Sequence, residues 1–154
     1  MTPKDAARIC AIYNDHVAST IVTFDETPLE AREMARRIRA ATLPWLVIED
    51  DGEFAGYARA AAWKTRASYR HTVETSVYVH PVFQRRGHAR QLYGALIEEL
   101  RNRGVHVVLA GIALPNPASV TLHESLGFEP SGVLPQVGRK FDRSIDVGYW
   151  ALVL

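Results

Sequence analysis

Between two stretches of regular patterning the chain reads Gln84-Arg85-Arg86-Gly87-His88-Ala89-Arg90, three arginines grouped around one glycine. Residues 72–79 before it alternate as a strand does, and residues after Gly87 repeat at helical spacing. The segment therefore opens a helix. A helix N-terminus carries N–H groups without intrahelical partners and a partial positive charge, and a glycine there lets backbone come close to a phosphate. Arg85, Arg86 and Arg90 add formal charge where a multiply phosphorylated ligand would lie. A pyrophosphate seat is one reading, and a solvated basic loop capping a helix is the other. The spacing is not that of the dinucleotide fingerprint, with its three glycines and an acidic residue about 20 positions on, and no Walker lysine follows a glycine.

Other chemistries find little support. The six histidines, at 16, 71, 80, 88, 106 and 123, show no paired ligand spacing, and with no cysteine pair a metal site is not expected. No Gly-x-Ser-x-Gly elbow is present, which argues against a serine hydrolase. The one cysteine, Cys10, cannot form an internal disulfide and falls in an apolar helical stripe, where a small buried hydrophobe is the simpler reading. With 18 Lys+Arg against 17 Asp+Glu, a formal net charge of +1, no bulk field draws the 154-residue chain to nucleic acid or to a membrane surface. Anion recognition must be local. A hydrophobic share of 47% with 23% charged residues excludes disordered and low-complexity classes. No apolar run approaches the roughly 18 residues of a spanning helix and no signal core follows Met1, so the cytoplasm is the expected compartment. Residues 1–154 are read as one domain.

The elements that must position the basic loop follow from periodicity. Ala6, Ile9, Cys10, Tyr13 and Val17 stand at i, i+3, i+4, i+7 and i+11, a helix facing a core. Thr27, Pro28 and Glu30 predict the start of a second helix by a cap, a first-turn proline and a capping box. Trp45–Ile48 and Glu53–Ala62 flank Asp51-Gly52, a hairpin signal. Trp63 to His71 is read as a loop. In the strand 72–79, Thr72, Glu74, Ser76 and Tyr78 share one face and Val73, Thr75, Val77 and Val79 the other. A helix from Gly87 to Arg103 and an apolar strand over 105–112 complete a strand, helix, strand unit whose crossover makes the two strands parallel. Asn116-Pro117 opens a short helix that Gly127 closes. Phe128–Val133 and Val147–Leu154 are the last strands, with a loop between them. The class is α+β around a mixed, mostly antiparallel sheet flanked by helices.

Several separate motifs, in order along nearly the whole chain, resemble the GNAT superfamily, and more closely its phosphinothricin and methionine sulfoximine N-acetyltransferase branch. Its signature Q/R-x-x-G-x-G/A matches residues 84–89, with Ala89 as the permitted alternative. Ile12-Tyr13-Asn14-Asp15, Thr23-Phe24, Trp63-Lys64-Thr65-Arg66, the whole strand 72–79, Leu114-Pro115-Asn116, Leu122 to Phe128 and Gly138 to Phe141 carry the rest. The resemblance implies that two parallel strands part at residues 77 to 79 and admit acetyl-CoA. Backbone of Val77, Tyr78 and Val79 would hold the pantetheine arm, and amides over Arg85, Arg86, Gly87, His88, Ala89 and Arg90 the pyrophosphate. Asn116 and Ser125 match positions on the coenzyme arm, although Asn116 is equally a helix cap before Pro117.

The same resemblance puts Glu74 in the place of the general base and His123 where many relatives carry a tyrosine, as donor to the departing thiolate. Phe24, Trp63, Lys64, Arg66, Tyr69, Thr75 and Ser76 would shape the acceptor pocket, with Arg66 suited to an acid group by its two-point geometry. The implied substrate is a small amine or amino acid, methionine sulfoximine, methionine sulfone or phosphinothricin among them, and the implied assembly a homodimer. Relatives usually begin with a strand that this chain lacks before its first helix, and Ser144 replaces a tryptophan. Two readings from other classes stand beside the enzyme. An acetyl-CoA-sensing module would need neither Glu74 nor His123, and a nucleic-acid binder would use the arginines but is disfavoured by the net charge.

Overall fold

A computed structural model describes residues 2–154 of the chain. Helix α1 (Ala6–Ser19) follows a short 3-10 turn, and α2 is Ala31–Ala40. Strands β1 (Trp45–Asp50), β2 (Glu53–Ala62) and β3 (Thr72–Val79) come next, then α3 (His88–Asn102), β4 (Val107–Ala113), α4 (Pro117–Ser125), β5 (Glu129–Lys140) and β6 (Arg143–Val153). The six strands form one sheet in the order β1-β2-β3-β4-β6-β5. Only β3 and β4 pair in parallel, and every other neighbouring pair is antiparallel. No strand precedes α1 among the described residues, and no helix among them is long and apolar enough to cross a membrane.

Each face of the sheet is closed by a different pair of helices. Ala58, Ala60 and Val73 pack with Leu92, Leu96 and Leu100 of α3 and with Phe128 behind α4. On the other face Tyr57, Trp45 and Tyr78 pack with Ile9, Tyr13 and Val17 of α1 and Met34 and Ile38 of α2. Alternation along β3 thus sends Thr75 towards α3 and Glu74, Ser76 and Tyr78 the other way. Leu96 is 0% exposed at the centre of the first cluster. Leu96→Ala is expected to cost about 2–5 kcal/mol of unfolding free energy in urea titration. A loss below about 0.5 kcal/mol, the level of an ordinary surface substitution, would contradict this packing.

Three local expectations are corrected. The second helix begins at Ala31 and not near Thr27, with Glu30 at the cap and no side-chain cap bond. The Asn14 side chain donates to the Leu29 carbonyl at 3.0 Å and accepts the Leu29 amide at 2.8 Å. That clamp holds the peptide extended against α1 and uses the groups a helix would need. The region between the last two strands is not a loop: β5 and β6 run as one long hairpin, with bulges near Pro130 and Leu134 and a turn at Phe141-Asp142. β5 is an edge strand with almost every residue exposed, so neither face carries the alternation that signals a strand. The parting of the parallel strands begins earlier than 77–79. Pairing stops at Glu74↔Leu109, whereas β3 stays paired to β2 as far as Val79↔Gly56 and β4 to β6 as far as Ala113↔Val147. A wedge opens from Thr75 onwards.

Candidate active site

The wedge is a cleft of about 450 Å³ between residues 75–79 of β3 and 110–113 of β4, closed by the start of α3 and by α4. Because β3 bonds only to β2 over this stretch, the main-chain groups of its β4 side are free for an extended ligand to add to the sheet edge. At one end lies the α3 N-terminus. Gly87 has φ 86° and Arg85 φ 62°, and no atom lies within 4 Å of where a Gly87 side chain would begin. Backbone N–H groups here turn outwards around open space, the concavity that suits phosphate oxygens.

The arginines of this loop divide. Arg85 and Arg90 line the cleft, and Arg90 also donates to Ser125 Oγ at 3.1 Å. Arg86 does not line it. Its guanidinium donates to Asp50 Oδ2 at 3.0 Å, and His88 Nε2 meets the same oxygen at 3.1 Å. The His88 and Arg86 contacts together hold the Asp50 carboxyl below its usual range. Asp50, at the end of β1, thereby ties down two residues of the loop. Ser125 gives its own hydrogen to the Leu122 carbonyl and stays outside the cleft, whereas Asn116 lines it while capping α4 through Ser119 N at 3.1 Å.

A second hollow of about 410 Å³ adjoins the first and shares Val22, Gly111 and Ala113 with it. Glu74, Phe24, Arg139 and Tyr149 line this one. The Glu74 carboxylate lies over Gly111 so closely that a Cβ there would stand 2.9 Å from Oε1. Among the described residues no group donates a hydrogen bond to it. Burial pushes its pKa above 4.5, and the positive charges of Arg59 and Lys64 pull the other way. The result is a carboxylate held ready to accept a proton at the border of the two hollows.

Of the residues expected on the acceptor side, Glu74, Phe24 and Ser76 line one or other hollow. Trp63, Lys64, Arg66 and Tyr69 line neither. They contact one another instead, with Trp63 against Tyr69 at 5.1 Å, Lys64 over the Trp63 ring and the Tyr69 amide donating to the Arg66 carbonyl. Thr75 and Ser76 line the cleft instead of the acceptor hollow, and Thr75 faces α3. His123 lines the cleft but both its ring nitrogens bond to protein, Nδ1 to the Ser119 carbonyl at 2.7 Å and Nε2 to the Tyr93 hydroxyl at 2.9 Å. Burial lowers its pKa, which favours the neutral ring.

Gly111, Tyr149, Arg139, Asp50 and His16, the last of which lines the cleft, were not named as site residues from sequence. Gly111 alone carried a signal, as a glycine inside an apolar strand where close approach by another group is the usual reason.

Comparison with known proteins agrees with this geometry. The acetyltransferase (GNAT) family profile matches residues 9–128. The L-amino acid N-acyltransferase MnaT of Escherichia coli is 42% identical over 153 residues, 97% of this chain and 89% of that one. An L-methionine sulfoximine/L-methionine sulfone acetyltransferase of Pseudomonas aeruginosa is 44% identical over 97% of this chain and 90% of its own. The crystal structure of a phosphinothricin acetyltransferase from Sinorhizobium meliloti in complex with acetyl-CoA superposes with a TM-score of 0.96 at 32% identity, covering 100% of this chain and 85% of that one.

Proposed function

The chain belongs to the acetyltransferase (GNAT) family, and on that premise we propose that it transfers the acetyl group of acetyl-CoA to the amino group of a small amino acid, of the methionine sulfoximine, methionine sulfone or phosphinothricin kind. The observation that carries the reading is the end of strand pairing at Glu74↔Leu109, which leaves a strand edge, a helix N-terminus and a carboxylate around one cleft. Acetyl-CoA supplies an activated acyl carbon and a thiolate leaving group.

Main-chain groups of Val77, Tyr78 and Val79 hold the pantetheine arm as an added strand would be held. The amides opening α3, with Arg85 and Arg90, bind the pyrophosphate. An N–H at Val77 or Tyr78 stabilises the negative charge that develops on the carbonyl oxygen. Glu74 removes a proton from the amine as its nitrogen bonds to the acyl carbon, and the C–S bond breaks as the sulfur leaves. The proton on Glu74 passes to solvent or to the departing sulfur, which returns the carboxylate. Residues of the second hollow, Phe24, Arg139 and Tyr149, bound the space for the amino acid. We place the enzyme in the cytoplasm as a homodimer, which the exposed Val133, Leu134, Val137 and Phe141 of the edge hairpin support.

Thiol release from acetyl-CoA across a panel of amines tests the activity. Release is expected with small amino acids whose amine is free and not with their N-acetylated forms. Tight acetyl-CoA binding with no release for any amine would overturn the enzyme in favour of a sensor.

A further inference from the structure

Three buried side chains that the reaction above leaves unused form a single chain of hydrogen bonds around the closed end of the cleft. Thr75 Oγ1 lies 2.5 Å from the Tyr93 hydroxyl, that hydroxyl lies 2.9 Å from His123 Nε2, and His123 Nδ1 lies 2.7 Å from the Ser119 carbonyl oxygen. Tyr93 is 0% exposed, His123 3% and Thr75 4%. They come from α3, α4 and β3, the three elements that bound the wedge.

Two of these atoms have a second possible partner, the Ser119 hydroxyl 3.3 Å from His123 Nδ1 and the Leu109 carbonyl 3.2 Å from Thr75 Oγ1, and with the nearer partner taken in each case donor counting gives every bond a direction. A carbonyl only accepts, so His123 Nδ1 carries a hydrogen. In the neutral ring Nε2 is then bare and must accept, which takes the one hydrogen of Tyr93. Tyr93 in turn accepts from Thr75. Charging the ring would add a hydrogen at Nε2 and require both hydroxyl hydrogens to turn round, Tyr93 donating to Thr75 and Thr75 to the Leu109 carbonyl 3.2 Å away. Leu109 is the last residue of β4 paired to β3. The chain therefore starts at the point where the parallel strands part.

We infer that Tyr93 is a positioning residue for the transfer reaction: its hydroxyl locks His123 as the Nδ1–H tautomer and ties Thr75 to α4, which sets the width of the wedge that receives the acyl donor. The inference rests on the proposed acetyl transfer for its consequence, but the bond directions in the neutral ring follow from the distances and do not depend on that reading. It assigns His123 to the wall of the cleft instead of to proton delivery. The Tyr93 ring is held independently of its hydroxyl, at 5.0 Å from His123 and 5.7 Å from Phe128, edge to face in both cases. Tyr93→Phe should thus keep the packing and delete only the bonds.

The test combines nitrogen-15 NMR of His123 with kinetics. The wild-type ring is expected to show its hydrogen on Nδ1, with Nε2 as a hydrogen-bonded acceptor. In Tyr93→Phe the Nε2 resonance should move to the position of an unbonded nitrogen. The KM for acetyl-CoA should rise roughly tenfold, the scale of a buried hydrogen bond lost, while the KM for the amine stays put. Thr75→Val should raise it similarly, Thr75→Ser less, and the Tyr93→Phe/Thr75→Val pair no more than either alone, because the two act through one chain. A hydrogen found on Nε2 in the wild type, or an unchanged acetyl-CoA KM in Tyr93→Phe, would overturn the inference. Should the wild type show no acetyl transfer, the proposed function fails while the tautomer still decides the direction of the chain.

Discussion

Glu74→Gln is expected to lower kcat/KM by on the order of 10²–10⁴ while acetyl-CoA binds as tightly as to the wild type. The substitution keeps the shape of the side chain over Gly111 and removes only its capacity to accept a proton. In the proposed reading acetyl-CoA lies along the strand edge beyond Thr75 and over the α3 N-terminus, in the cleft that Glu74 does not line. The pH dependence follows from the same environment. Glu74 must be ionised to act, and burial raises its pKa above 4.5. The rate should therefore fall as pH drops, and begin to fall at a higher pH than an ordinary glutamate would produce. Arg59 and Lys64 limit that rise. In the Gln variant this acid limb should vanish along with most of the rate. Full activity in Glu74→Gln, with the acid limb intact, would place the base elsewhere.

Gly111→Val should produce a comparable loss, on the order of 10²-fold or more, by a steric route. Gly111 is the point where the two hollows meet. A Cβ at this position would stand 2.9 Å from Glu74 Oε1 and 3.4 Å from the Tyr149 ring edge. The carboxylate must swing away, and displacement of a reacting group by about 1 Å can cost 10²-fold. The branches of valine also fill the mouth shared by donor and acceptor. The strand itself suits valine, since Gly111 is paired with Tyr149 in the middle of an antiparallel ladder. Circular dichroism and the thermal transition should stay near wild type while thiol release collapses. Retained activity would mean that the amine does not approach past Gly111.

The two substitutions also mark how far the sequence could be read. Glu74 was found because a lone carboxylate in a neutral strand matched a family motif, and its face was given by alternation. Nothing in the neighbouring residues said that Gly111, 37 positions later in the chain, would lie beneath it. The Gly87 turn and the helix behind it were legible because capping chemistry is local: partnerless N–H groups, a left-handed glycine and adjacent arginines all fall within six residues. The pairing of Arg86 was not legible because its partner carboxylate, Asp50, lies 36 residues earlier on another strand.

Similar limits explain the rest. The hairpin of β5 and β6 was hidden since an edge strand exposed on both faces has no hydrophobic period, and its backbone bonds to β6 are not written in side-chain types. The resemblance placed His123 as a donor to the departing thiolate, and nothing near it in the chain gave its partner Tyr93 on another helix. What the sequence by itself determined was the set of elements, the face on which each β3 side chain stands and the anion-binding turn, because hydrophobic periodicity and helix capping act between residues close in the chain. The tertiary structure alone decided where the parallel strands separate, which arginines face the cleft and which partners His123 meets, because each depends on a group that only folding brings within about 3 Å.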